Sequence, residues 1–343
     1  MTKKCFLFGQ AILPIFCFLI ILSTNQQFVF AQITFGDISG ETEESEEQTK
    51  RGSVLGTAKV IKYKAGMIFE ARPGGTCSNL LGTAPVPMDF PEQKVRILEE
   101  EFANSAKVKY RELREGGAKE MVFSMKTLRP GQRVESTVLF EVTRYQQLPP
   151  VETDCYSISK KITRNLRQYL RNSPYIETDN KVIRDLAKKT TAKIDSDWKK
   201  VEAIFQFVRE NIAYKEEMVE KEIRGAVAAY RTKEGDCEDM CALFIAMCRS
   251  LNIPARLVHV PGHCYAEFYL VDEKNDGYWF PAQVAGTEPF GGMLDLRVIL
   301  QKGDCFRLPE SPKTETLYVK EMFTGNVSEG APDPIYQFIQ ESY

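Results

Sequence analysis

The chain has 343 residues, 43% of them hydrophobic and 27% charged, with 17 prolines and 22 glycines. That composition excludes a collagen-like, wholly disordered or multi-span membrane protein, and the length suits two domains. Basic and acidic residues nearly balance, 45 against 47, so the net charge of −2 gives no reason to expect nucleic acid as a partner.

Lys3 and Lys4 precede an apolar run over residues 5–22, a polar stretch, and Val29-Phe30-Ala31. A basic start, an apolar centre and a cleavage-type end predict a secretory signal peptide over residues 1–31. The alternative is a single membrane anchor, although Gln10 and Pro14 interrupt the run. Cleavage would leave no stable membrane span and an extracytoplasmic protein, secreted or periplasmic. Residues 32–53 are polar and include Glu41-Thr42-Glu43-Glu44-Ser45-Glu46-Glu47. Such a stretch buries too little apolar area to offset its ordering entropy, so it reads as an acidic flexible linker.

Cys5 and Cys17 lie in the signal segment. Seven cysteines remain: Cys77, Cys155, Cys237, Cys241, Cys248, Cys264 and Cys305. In an oxidising compartment an odd number leaves at least one thiol to explain, either a buried core residue or a reactive one.

Residues 54–150 alternate with period two. Val134, Ser136, Val138, Phe140 and Val142 share one face of a strand, while Glu135, Thr137, Glu141 and Thr143 share the other. With a turn at Gly116-Gly117 and a stiff loop from Pro85 to Pro91, this predicts antiparallel sheet, a small β-sandwich-like domain. Residues 151–180 form a connector with a basic amphipathic part (Lys160, Lys161, Arg164, Arg167, Arg171) that reads as a solvated helix face. Asp195 or Ser196 then caps a helix whose core stripe is Trp198, Val201, Phe205, Val208 and Ile212.

The chemistry gathers at Gly235-Asp236-Cys237-Glu238-Asp239. Cys241, Phe244, Cys248 and Leu251 follow at spacings of three or four, which predicts a helix over 237–251 buried along one stripe. Cys237 falls in its first turn, where free N–H groups and the macrodipole favour a thiolate. The same N–H groups are candidate donors to an oxyanion. Cys241 and Cys248 lie on the stripe and read as structural. Strands over 255–260 and 263–271 follow, then a turn at Asn275-Asp276-Gly277 and a short strand over 278–281. On the second strand Cys264, Ala266, Phe268 and Leu270 face the core, leaving His263, Tyr265, Glu267 and Tyr269 on the more polar side. His259 and His263 are the two histidines of the chain. A thiol at a helix start and an imidazole on a following strand are the parts of a Cys–His nucleophilic pair.

Gly235-Asp236-Cys237-Glu238-Asp239, Leu243-Phe244, Ile253-Pro254-Ala255-Arg256 and His263-Cys264-Tyr265-Ala266-Glu267-Phe268-Tyr269 together resemble the core motif of the transglutaminase-like superfamily. The helix ending Val208-Arg209-Glu210-Asn211-Ile212-Ala213-Tyr214 is similar to that family's lead-in helix, and the likeness covers roughly residues 180–290. The resemblance implies a papain-like fold, with Cys237 as nucleophile and His263 as its general base. The third position falls on Gln283, four residues after Trp279, where the family usually has aspartate. An amide accepts a hydrogen bond from the imidazole but brings no charge to stabilise imidazolium.

The expected fold is therefore α+β: a β-sandwich-like domain (54–150), a connector (151–180), a papain-like transglutaminase core (181–310) and a C-terminal tail (311–343) without usable periodicity. The expected function is thiol-dependent acyl transfer on peptide or side-chain amides, as a peptidase, amidase or transglutaminase, with no cofactor or metal. One alternative is a catalytically silent domain that binds peptides or cell-surface polymers. Another is a zinc site from Cys237, Cys241, His263 and Cys264, which adjacent strand residues pointing to opposite faces disfavour. The 272–277 segment reads as a turn and not a calcium loop, because Lys274 breaks the ligand pattern.

Overall fold

The computed structural model describes residues 3–8, 51–216 and 223–343. The expected signal peptide and linker lie outside these residues, apart from 3–8 and 51–53.

The β pattern of the first half forms six strands after β1 (Lys3–Phe8): β2 (Val54–Glu70), β3 (Cys77–Val86), β4 (Gln93–Phe102), β5 (Lys107–Glu112), β6 (Lys119–Leu128) and β7 (Arg133–Leu148). On β7 the alternation holds except at Thr137, which is 3% exposed; Val134, Ser136, Val138, Phe140 and Val142 are all buried. The helical half contains α1 (Lys181–Thr191), α2 (Asp197–Asn211), β8 (Ala213–Tyr214), α3 (Ala226–Thr232), β9 (Glu234–Gly235) and α4 (Cys237–Ser250). After it come β10 (Ala255–Val260), β11 (His263–Val271), β12 (Gly277–Ala282), β13 (Gln301–Lys302), β14 (Phe306–Arg307), β15 (Glu315–Thr316), β16 (Met322–Val327) and β17 (Ile335–Ser342).

Two sheets build the sandwich, in the orders β1-β16-β3-β6-β5 and β17-β2-β7-β4. Their facing side chains interlock around Phe69, whose ring lies 4.7 Å from Phe123 and 4.9 Å from Phe323. Gly82 allows that approach, since a Cβ there would stand 2.5 Å from Met67 Sδ and 2.9 Å from Phe69 Cζ. Residues 311–343 are thus no tail: β16 sits between β1 and β3, and β17 pairs along β2. Neither strand carries a clean period. Met322 and Phe323 are buried on successive positions, and β17 is a largely solvated edge.

The second unit is a four-stranded antiparallel sheet, β12-β11-β10-β13, with α4 against one face. Ser196 caps α2, accepting from Lys199 N–H at 3.4 Å, and Trp198, Val201, Phe205 and Val208 are buried as the stripe predicts. Helix α4 departs from expectation. Every residue from Asp239 to Arg249 is buried, not one stripe, because α1, α2 and α3 cover the sides the sheet leaves open. The connector departs too, since its basic stretch holds one short 3₁₀ turn, Arg167–Leu170, and no α-helix.

The second face of β11 is also covered. Tyr265 and Glu267 are 2% and 0% exposed. Glu267 pairs with Lys302 and Arg256, and Lys302 also pairs with Glu92 of the sandwich. Burial opposes ionisation of Glu267, but the two cations hold its carboxyl below the usual range. Gln93 reinforces this joint, accepting from Ile299 N–H at 2.7 Å and donating to Ile299 O at 2.8 Å.

Candidate active site

Asp236 organises the start of α4. Its carboxylate accepts from Asp239 N–H at 2.9 Å and from the Glu238 N–H. Two of the first-turn donors are therefore committed to this cap. The Cys237 N–H makes no backbone hydrogen bond among the described residues. Asp239, 1% exposed, accepts from the N–H groups of Arg224 and Gly225 at 2.9 Å each and pairs with the Arg224 guanidinium. It clamps the chain before α3 to the helix start. Gly235 serves this clamp, since a Cβ there would lie 2.7 Å from Asp239 Cβ.

Cys237 is 6% exposed, and its thiol meets two groups from the start of β11. Hydrogen bonding to the Cys264 thiol and burial push the Cys237 pKa well above that of a free thiol, while hydrogen bonding and charge at His263 pull it down. The thiolate expected from the helix dipole alone is thus not the resting state. The neighbouring thiol and desolvation oppose the thiolate that the helix start favours. His263 stands half-buried after the turn at residues 261–262, where Gly262 supplies φ of +70°. Cys264 is 1% exposed, and its carbonyl accepts from Cys241 Sγ at 3.7 Å. The seven cysteines from Cys77 to Cys305 are all free thiols.

Gln283 follows β12, one step beyond the Ala266–Ala282 pair, and is 5% exposed. Its amide oxygen packs onto Gly286, where a Cβ would stand 1.9 Å away. Strand alternation puts it on the Tyr265 face, which His263 shares. A carboxylate that sequence reasoning passed over lies within electrostatic reach of the imidazole: Asp295. Burial would raise its pKa, but hydrogen bonds from Arg297, with a smaller contribution from His263, hold it below the usual range. Arg297 donates through Nε to Asp295 at 2.7 Å and through Nη1 to Pro261 O at 3.4 Å. The carboxylate is thereby tied to the turn that delivers His263.

Glu238, Tyr318, Lys320 and His259 flank the helix start on another side. The rings of His259 and Tyr318 lie 4.6 Å apart, and Lys320 Nζ sits 4.7 Å from the Tyr318 centroid. Burial, Lys320 and His263 push the His259 pKa down to about 3, so it is neutral, and its Nε2 has no hydrogen-bond partner among the described residues. Tyr318 and Lys320 come from the stretch read as a tail, and neither carries a spacing signal that could have found it.

Burial and the charge of Asp236 push the Glu238 carboxyl up to about 7, with Lys320 and Tyr318 opposing. The unfolded chain holds this group near its ordinary value of 4.5. Between those two values the folded state keeps a proton that the unfolded state has lost, so stability falls as pH rises through the window. Glu238→Gln is expected to remove that part of the slope and to gain stability over the parent at pH 8 and above. Urea unfolding at pH 4.5, 6 and 8 checks this; parallel curves for parent and variant would contradict it.

Among the described residues, no three His, Cys, Asp or Glu side chains are arranged to hold a metal ion. No described helix is long and apolar enough to cross a membrane. Residues 184–284 match the model of the transglutaminase-like superfamily. A crystal structure of a proposed cysteine protease from Cytophaga hutchinsonii superimposes with a TM-score of 0.53 at 16% identity, covering 84% of this chain and 92% of that one. A proposed protease from Parabacteroides distasonis aligns at 10% identity over 66% of each chain, with a TM-score of 0.25. No curated protein matches the sequence.

Proposed function

We propose that this chain, which carries a transglutaminase-like core over residues 184–284, is a thiol-dependent acyl-transfer enzyme acting on peptide or side-chain amides. The family match supports a thiol-dependent enzyme in general. The observation that supports acyl transfer is the meeting of Cys237, at the start of α4, with His263, at the start of β11.

In this reading His263 takes the Cys237 proton as the sulfur attacks an amide carbonyl. The resulting oxyanion faces the uncommitted Cys237 N–H, and His263 then protonates the leaving amine. A thioester remains, which water or an amine resolves. Gln283 shares the His263 face and orients without charge, while Asp295 supplies negative potential nearby. The raised thiol pKa fits a nucleophile activated by its base during attack, not one stored as thiolate. The substrate is a protein or peptide amide, and the location is extracytoplasmic, as the basic and apolar N-terminus suggests.

Incubating the purified chain with glutamine-bearing peptides, with and without a primary amine, tests the reading. Peptide cleavage, ammonia release or amine incorporation is expected. Absence of all three with a folded chain would favour the silent, peptide- or polymer-binding domain.

A further inference from the structure

The acyl-transfer chemistry leaves one nucleophilic group beside Cys237 unused. Cys237 and Cys241 are one helical turn apart on α4, so both sulfurs project from the same side of the helix. The start of β11 packs there, and the Cys264 thiol interacts electrostatically with both. The three residues are 6%, 0% and 1% exposed, and all belong to one packed core. Cys241 Sγ donates to the Cys264 carbonyl, 3.7 Å away, so Cys264 lies against the turn of α4 that carries both sulfurs.

We propose that Cys237 and Cys264 are a peroxide-modification site that closes to a reversible disulfide and switches the nucleophile off; the inference rests on the reading of Cys237 as that nucleophile. Peroxide reaches Cys237 first, because it is the more exposed of the two and has His263 to take its proton. The Cys237 sulfur attacks one peroxide oxygen, the O–O bond breaks, and hydroxide leaves to be protonated by His263. Cys237 is then a sulfenic acid. The Cys264 sulfur attacks the Cys237 sulfur, the S–O bond breaks, and the leaving hydroxide takes the Cys264 proton as water. Two thiols lose two electrons to one peroxide, giving one disulfide and two waters. The bond needs the two sulfurs to close to about 2.05 Å, which draws the helix start and the strand end together. With Cys264 in place the sulfenic acid is captured before a second peroxide drives it to sulfinic acid, from which a thiol reductant brings no return.

The test treats the reduced full chain with hydrogen peroxide, blocks free thiols with iodoacetamide and maps peptides by mass spectrometry. The expected result is a linked pair of peptides carrying Cys237 and Cys264, two hydrogens lighter than their sum. Alkylation of Cys237 is lost and returns to the untreated level with dithiothreitol. In Cys264→Ala no link forms, and Cys237 gains two oxygens that dithiothreitol does not remove. Sulfinic acid on Cys237 in the parent with Cys264 still free would overturn the proposal. So would a link from Cys237 to another cysteine, or no change at either thiol while other cysteines oxidise. Capture of Cys237 by an amide electrophile, measured separately, keeps the two readings apart. Capture without the link sinks this inference alone, and the link without capture sinks the acyl-transfer reading alone.

Discussion

Cys237→Ala is expected to abolish turnover of amide substrates, by at least about a thousandfold, while leaving the fold in place. The chemistry requires a sulfur beside His263, and no other thiol is offered to a substrate there. Cys264 is 1% exposed, and Cys241, at 0%, is sealed between helix and sheet. Losing one buried sulfur atom costs about 1 kcal/mol, well inside the margin of a domain this size. Unfolding curves and product assays on the same preparation check both halves. Retained turnover would move the nucleophile elsewhere, and an unfolded variant would make Cys237 a packing residue first.

The largest expected change in stability is far from the nucleophile. Arg249, at the far end of α4, donates to both carboxylate oxygens of Asp304 at 2.8 and 2.7 Å and to Ala255 O at 3.0 and 2.7 Å. It also donates to Arg171 O and Ser173 Oγ, so one buried guanidinium ties α4 to the connector, β10 and the loop after β13. Both side chains of the ion pair are at most 1% exposed. Arg249→Met keeps the length and the apolar stem but leaves Asp304 charged and buried without its cation. The expected cost is about 3–5 kcal/mol. Adding Asp304→Asn should recover part of it by removing the stranded charge. A loss below about 1 kcal/mol in urea unfolding would contradict this account of the pair.

What the sequence makes legible follows from which elements have one wet face. On β7 and α2 the apolar positions recur at the period of the element because the opposite side is solvated. The core motifs are legible because helix start, strand and turn each need particular residues, Asp236 as cap and Gly262 at positive φ among them. Three features were hidden for physical reasons. Helix α4 is covered on every side, so a stripe reading understates it. Strand β16 opens on two successive buried positions, Met322 and Phe323, and is only six residues long, so its period two is blurred. The polar face assigned to β11 carries Tyr265 and Glu267, which look solvated until Arg256 and Lys302 arrive from other elements to neutralise the carboxylate. At the site itself, position 283 was found by motif register. Asp295 comes near His263, and Tyr318 near Glu238 at the helix start, only through the tertiary fold. A helix dipole at Cys237 is visible in sequence, whereas the opposing push from Cys264 and burial is not.

The central claim is that Cys237, assisted by His263, is the group that attacks an amide carbonyl. The most direct measurement exposes the reduced chain to an amide-based electrophile at pH 6 and 8 and maps the adduct by mass spectrometry. The expected result is one adduct on Cys237, lost in His263→Ala and present at both pH values in the parent. Equal labelling of Cys241 or Cys248, or no adduct on a chain shown to be folded, would contradict it.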